Sequence, residues 1–565
     1  LRFIFIFFCL ISSLINVAQN SVWLNHFGGH NNDKVTKLEF NKTGYLFAAG
    51  DIKYTVDFKN GSFDSTLDAS NGNCFLTKID PSSGMPIWVR QFGKGGQAYI
   101  RSFTFDNDNN IFLAGMFAGT VDFDPSAKVK ELTSNGPQSD IFIMKLDSSG
   151  NLNWVKSIGN TSTDWVTSIT IDSYANIYFS GRYNFTIDFN PDSIVNNLTT
   201  NHNPDGYVCK FDSSGNFEFV RNFPGYNYQS CNDLVYDNNG FLFVLGTFEI
   251  NLITKPKKKV IRSNGEKDIF ISKIDTSGNR YWTRQIGGTS DEYGTDILLD
   301  QNRNIYITGD FKGKSDLDPS SNHYFLNAIN SHPSLYDSFV AKYDKDGWFK
   351  WANGYGGKSF ERSYAIALDN QHNIYNTAYF SDTATFSNNN NLSFVAIGHG
   401  DFLLNKFDSL GTHIYTRHFI GSSDAVAFTL AIDTVSNIYL AGTFRDSVDF
   451  EPGPLSLNKT SKNMYDLFIQ KLNQNPISVN IVELKDAQKV NLYPNPTRRG
   501  VNIQLQELIN LIDIKVYDMN TSLIANYQWE NQNFIQFELD VPKGIYLLEL
   551  NLNNEKPQYL KVIKQ

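Results

Sequence analysis

Ile141–Gly159 reads IFIMKLDSSGNLNWVKSIG, and Ile269–Gly287 reads IFISKIDTSGNRYWTRQIG. Weaker copies of this phrase recur on both sides. Lys145 and Lys273 within it belong to a series, Lys78, Lys145, Lys210, Lys273, Lys342, Lys406 and Lys471, spaced by about 65 residues, the mark of a repeat architecture. Gly50, Gly115, Gly181, Gly246, Gly309, Ala378 and Gly442 close segments such as NIYITG at the same period. Trp23, Trp88, Trp154, Phe219, Trp282, Trp351 and Tyr415 form a third series.

One unit divides into four short strands, near 166–171, 176–181, 207–211 and 217–223, separated by turn clusters such as DSSGN. Gly supplies the positive φ that such a hairpin loop requires. Four antiparallel strands per unit, repeated seven times, predict a seven-bladed β-propeller with four-stranded blades. The aromatic series begins before the first Lys, at Trp23, and no aromatic follows Lys471 at the usual distance. The segment SVWLNHFGG therefore completes the last blade, closing the ring through N- and C-terminal strands and removing its exposed edges.

A chain of 565 residues exceeds one ordinary compact domain. Aromatics at 14% against 19% charged residues favour strands and tight turns over long helices. A net charge of −9 carries no electrostatic footprint for nucleic acid. Residues 1–18, LRFIFIFFCLISSLINVA, read as a signal peptide cut between Ala18 and Gln19, with no transmembrane anchor left in the mature chain. Cys74, Cys209 and Cys231 then remain, an odd count read as small buried residues, with a Cys209–Cys231 bridge as the alternative.

FIMKLDSSGNLNWVKSIG together with NIYITGDF resembles the β-propeller repeat of secreted bacterial proteins known as the SBBP repeat, over roughly residues 21–473. After Asn473 the text changes. Residues 474–488 form a linker, and from 489 to 565 about seven short strands suggest a small immunoglobulin-like β-sandwich. Tyr493-Pro494-Asn495-Pro496, the segment IKVYD, Gly544 with Tyr546, and Lys561 with Lys564 resemble the type A sorting domain of the type IX secretion system. That resemblance implies handling by the type IX machinery and delivery to the outer cell surface or the extracellular medium. The domain plan is thus 1–18 signal, 19–473 propeller, 474–488 linker and 489–565 sorting domain.

Candidate sites are few. The recurrent Lys and the Asp of the SGN turn repeat in every unit, which marks them as blade-holding residues, the Lys stem packing beside an aromatic. Asp122, Asp124, Asp188, Asp316, Asp318, Asp449 and Glu451 lie in segments such as VDFDPS and DFEPG, where paired acids could hold calcium or simply cap turns. KPKKKVIR at 255–262 is a basic run suited to guarding a strand edge or meeting an anionic polymer. No cofactor other than calcium is suggested, and no GxSxG, HExxH or P-loop occurs. The expected function is non-catalytic binding of an extracellular glycan or protein. The alternatives are a polysaccharide lyase or hydrolase with its site in the central depression, and a purely structural envelope role.

Overall fold

The computed structural model describes residues 21–29, 31–58, 65–192, 194–200, 203–254, 259–329, 335–386, 389–451, 456–474, 490–493, 500–517, 523–541, 544–553 and 558–564. Ala18, Gln19 and Pro494–Pro496 lie outside the described residues. The described fold is all-β and contains no helix.

Ser21–Phe450 with Leu457–Leu472 form one compact unit. Among its described residues are seven sheets built on four antiparallel strands each. The third is typical: Trp165–Ile171, Ile177–Tyr183, Asp205–Phe211 and Phe217–Phe223 lie side by side in chain order. The first sheet opens with Lys34–Phe40 and the seventh with Ala425–Ile432. Opening strands of successive sheets touch one another in turn, and Ala425–Ile432 touches Lys34–Phe40, so the series closes on itself. The seventh sheet takes its fourth strand from the other end of the chain, Ser21–Phe27 pairing with Asn458–Leu472.

The Lys and aromatic series lie in one physical row, while the Gly series stands in another, Gly115 opposite Phe142. In the second sheet Lys145 stands opposite Phe112 on one side and Trp154 on the other. In the seventh, Lys471 stands between Tyr439 and Trp23, so the closing strand supplies the aromatic that the seventh unit lacks. The ammonium groups of Lys145, Lys342 and Lys471 lie 4.8, 4.9 and 5.2 Å from the rings of Phe112, Tyr306 and Tyr439, within cation–π range. Six of the outer aromatics, Trp23, Trp88, Trp154, Phe219, Trp282 and Trp351, also reach a turn glycine of the next sheet. A Cβ on Gly150, whose φ is +82°, would come within 3.0 Å of the Trp88 ring, and one on Gly84 within 2.6 Å of Trp23. The DSSGN turn therefore repeats with the outer aromatic because the turn glycine seats the preceding sheet's ring. Asp147 holds that turn by accepting from the amides of Ser149 and Asn151, both at 2.9 Å. Cys74, Cys209 and Cys231 are buried free thiols, and no Cys209–Cys231 bridge forms.

The second compact unit contains the described residues from Val490 onward. Its strands run in the order Val490–Tyr493, Gly500–Tyr517, Gly544–Leu552, Gln558–Lys564, with Leu523–Glu538 also paired to Gly500–Tyr517. Five strands stand among the described residues where about seven short ones were expected. A register break between Gln504 and Ile509 lets the long Gly500–Tyr517 strand serve two partners, Val490–Tyr493 with its first half and Gly544–Leu552 with its second. Val501, Ile503, Ile512, Ile514, Ile535, Leu548 and Leu550 form the core. Gly544 pairs with Lys564, Tyr546 with Val562 and Lys561 with Leu547, so these sorting residues meet on adjacent strands. Tyr493 pairs with Asn502.

Candidate functional site

Each opening strand carries a register break at the same place, so one residue per sheet bulges out of the ladder. In four sheets that residue is Thr36, Thr167, Asn232 or Thr295, small and hydrogen-bonding. Thr36 Oγ1 donates to the Ile100 carbonyl at 3.2 Å, Thr167 Oγ1 to Cys231 at 2.7 Å and Asn232 Nδ2 to Gly294 at 2.8 Å, stitching each sheet to the next. In the second, sixth and seventh sheets it is Arg101, Tyr364 or Phe428. These large side chains depart from a rule the other four obey, and a departure on a repeating scaffold is where function is expected.

Tyr364 and Phe428 meet edge to face with centroids 5.1 Å apart. They line a cavity of about 750 Å³, bounded also by Tyr54, Tyr99, Tyr379, Tyr465, Asp33, Asp51 and Asp424. Asp424 accepts from two phenols at once, Tyr379 at 3.2 Å and Tyr465 at 2.7 Å, which fixes both rings. Asp51 faces Lys34 at 3.2 Å and Arg101 at 3.6 Å, and the Arg101 guanidinium lies 5.6 Å from the Tyr99 ring. Beyond the cavity the aromatic pattern continues. Tyr379 neighbours Phe360, Phe360 neighbours Tyr336, and Tyr336 neighbours Tyr293, at centroid separations of 6.4, 6.4 and 5.8 Å. Lys267 stands between Tyr293 and Tyr228, and Arg182 lies 4.1 Å from the Trp165 ring.

Deeper along the opening strands, Lys37 lies among the carboxylates of Glu39, Asp296 and Asp233. Asp233 and Asp296 also accept backbone amides from the next sheet, Ile297 at 3.0 Å and Ile366 at 2.8 Å, so these carboxyl groups hold neighbouring sheets together.

The acids singled out in the sequence have a local task. Asp122 Oδ1 accepts from Asp124 N at 3.0 Å and Lys130 N at 2.8 Å. Asp188 repeats this with Asn190 and Asn196, and Asp316 with Asp318 and Tyr324. Asp449 accepts from Leu457 N at 2.8 Å, while Asp124 and Asp318 accept from Ser126 and Ser320. These segments form hairpins such as Thr120–Asp122 with Glu131–Thr133. Glu451 is buried. Among the described residues no three His, Cys, Asp or Glu side chains converge as a metal cluster. Of KPKKKVIR, residues 259–262 extend a strand that pairs with Asn251–Thr254.

Burial gives the unit a pH dependence. It raises Asp33, Asp164, Asp310 and Asp337 from 3.8 to about 7, and backbone amides only partly offset it at Asp33 and Asp164. A carboxyl raised in the folded state contributes stability that is complete below its unfolded value and lost as pH rises through the folded one. His413, pushed down to about 4 by burial, acts oppositely between about 4 and 6.5, but as one group against four. In metal-free buffer the calorimetric midpoint is expected to be higher at pH 5 than at pH 8; an equal or lower midpoint at pH 5 would contradict the assignment.

Comparisons with known proteins bear on both units. Residues 491–565 match the secretion system C-terminal sorting domain, and residues 282–310 match the β-propeller repeat SBBP. The chain carries a type IX sorting domain and a β-propeller repeat. The sorting domain indicates handling by the type IX machinery and secretion to the cell surface or extracellular space. Among the described residues no helix is long and apolar enough to cross a membrane. An uncharacterized WD repeat-containing protein, L264, of Acanthamoeba polyphaga mimivirus is 21% identical over 78% of this chain and 37% of its own length. The regulatory protein FlaEY of Caulobacter vibrioides is 23% identical over 42% of this chain and 25% of its own. The chain thus spans well under half the length of either relative. A solved fungal alcohol oxidase of the AA5 family, in complex with copper, aligns over 97% of this chain and 100% of its own at 10% identity, with a TM-score of 0.37.

The sequence reading missed Tyr99, Arg101, Tyr364, Tyr379, Asp424, Phe428 and Tyr465. A signal was present: aligning the seven units at the bulge sets Arg101, Tyr364 and Phe428 against three Thr and one Asn.

Proposed function

We propose that this protein is an exported seven-bladed β-propeller that binds an extracellular glycan without transforming it. Residues 1–18 act as a signal peptide cut between Ala18 and Gln19, residues 19–473 form the propeller, 474–488 a linker and 489–565 an immunoglobulin-like sorting sandwich. The observation that carries the reading is the Tyr364–Phe428 pair in a cavity lined by four further tyrosines and by Asp424. Sugar rings offer C–H faces to aromatic rings and hydroxyls to carboxylates, and preset groups such as Tyr379 and Tyr465 on Asp424 lose little freedom on binding. A protein ligand is the second candidate for the same cavity. Calcium at the Asp122, Asp188, Asp316 and Asp449 hairpins belongs to this reading as an accessory.

The test is a polysaccharide array followed by calorimetric titration of the best hit with the purified protein. Tyr364→Ala and Phe428→Ala are each expected to weaken binding by about tenfold or more, the usual scale for a buried aromatic anchor. Binding that ignores both substitutions would remove the cavity from the reading. Release of reducing or unsaturated products from the hit would replace it with the enzymatic alternative.

A further inference from the structure

Near the start of each opening strand one residue stands opposite a residue of the second strand. That second-strand residue is Asp51, Met116, Thr247, Asp310, Tyr379 or Thr443 in six sheets, and Arg182 in the third. In the third strands of the last six sheets an aspartate pairs with an aromatic of the second strand, as Asp140 does with Phe117. The residue before that aspartate is Ser139, Pro204, Tyr336, Gly400 or Tyr465 in five of them, and Lys267 in the fourth sheet. Each departure puts a cation where neutral or acidic residues stand in the other sheets.

The two departures lie on neighbouring sheets and meet at one side chain. The Arg182 guanidinium lies 4.1 Å from the Trp165 ring and 5.4 Å from the Tyr228 ring, and it donates to the Tyr228 hydroxyl. The Lys267 ammonium lies 5.6 Å from the same Tyr228 ring and 5.4 Å from Tyr293. All five side chains are half-buried, so they are held in place yet reachable from solvent.

What holds these cations differs from what holds others nearby. Lys34 and Arg101 lie 3.2 and 3.6 Å from Asp51, Lys312 lies 2.9 Å from Asp291, and Arg362 lies 3.7 Å from Asp310. Arg182 instead rests on rings and a phenol, and among the described residues no carboxylate pairs with it. Lys267 sits between two tyrosine rings beside the Tyr293 hydroxyl, and Asp291, at 4.0 Å, and Glu249, across the ladder, temper its charge only in part. A ring face positions a cation without cancelling its charge. Like charges gathered about one tyrosine repel, and a bound anion relieves that repulsion.

We propose that Arg182 and Lys267, set about Tyr228, form a subsite for an acidic group, a carboxylate or a sulfate, of an extracellular polysaccharide whose chain also occupies the Tyr364–Phe428 cavity. The inference rests on the glycan reading of that cavity. Tyr379 in the cavity wall, Phe360, Tyr336 and Tyr293 lead from it to Lys267, with no neighbouring ring centroids more than 6.4 Å apart. The planar guanidinium of Arg182 takes the two oxygens of such a group side by side, and Lys267 adds a second charge.

The purified full-length protein is titrated by calorimetry with polygalacturonate and its methyl ester, and with dextran sulfate and dextran, at low and at physiological ionic strength. At least one acidic polymer is expected to bind about tenfold or more tighter than its neutral counterpart, the scale of a hydrogen-bonded charge, and to weaken as salt is added. Which of the two does so distinguishes carboxylate from sulfate. Arg182→Gln with Lys267→Gln is expected to abolish the preference and its salt dependence at an unchanged thermal midpoint, whereas Arg182→Lys with Lys267→Arg keeps both charges and the salt dependence. Tyr364→Ala is expected to weaken the acidic and neutral forms alike. Acidic polymers that bind no tighter than their neutral counterparts, or a preference that survives the glutamine substitutions, overturn the subsite and leave the cavity standing. A preference that the glutamine substitutions abolish, with binding indifferent to Tyr364→Ala, faults the cavity instead.

Discussion

A chain lacking residues 491–565 is expected to be synthesised and folded but absent from the cell surface and the medium. The sorting match covers those residues, and their described part has its own core, in which Val501, Ile503, Ile514, Leu548 and Leu550 are fully buried. The sheets of Ser21–Phe450 and Leu457–Leu472 draw on separate clusters, such as the Phe112, Ile143 and Phe179 group. Deletion therefore removes the address without removing a core. Blotting of medium, surface and envelope fractions would show the signal move wholly to the envelope, while the thermal midpoint of the remaining protein stays within a degree or two. Tyr546→Asp offers a subtler version. Tyr546 is 6% exposed, and a carboxylate in its place would sit among Ile514 and Leu548 with no counter-charge, enough to unfold a small domain. Equal secretion of the truncated chain would show that the tail is not the address.

The parts of the fold that could be read early are those written in short-range chemistry. Lys145, Trp154 and the DSSGN turn announce themselves because a two-residue pleat and a Gly-containing hairpin leave the same signature in each unit. Their meeting in one cross-strand row, and the seating of each indole on the next turn glycine, follow from that regularity. The closing strand was legible through phase, since Trp23 precedes the first Lys of its series. What escaped is what breaks the repeat. Arg101, Tyr364 and Phe428 look unremarkable in their own segments, and their meaning lies in four other units having Thr or Asn at the bulge. In the described part of the tail one strand, Gly500–Tyr517, is longer than the short segments expected, because the register break between Gln504 and Ile509 lies inside one continuous strand.

Gly181→Ala is expected to be among the most damaging single-methyl substitutions in the molecule. The bulge in the third opening strand drives the Trp165 carbonyl against the Gly181 Cα, and an added Cβ would fall 1.9 Å from that oxygen and 3.0 Å from the Tyr207 hydroxyl. The first contact is backbone, so no rotamer change relieves it, and Tyr207 Oη already donates to the same carbonyl at 3.0 Å. Moving the carbonyl would disturb the strand whose Thr167 stitches this sheet to Cys231. A cost of about 3 kcal/mol, at the upper end for overpacking a formed core, is the expected scale. The sixth sheet supplies the control, since Ala378 occupies the matching position there and is 1% exposed. Ala378→Gly should cost about 1–2 kcal/mol, the loss of one methyl and of some backbone restriction. Chemical denaturation of both variants decides the matter. A Gly181→Ala protein as stable as the parent would mean that the bulge carbonyl yields freely, and the glycine series would then need a cause other than the close approach of the opening strand.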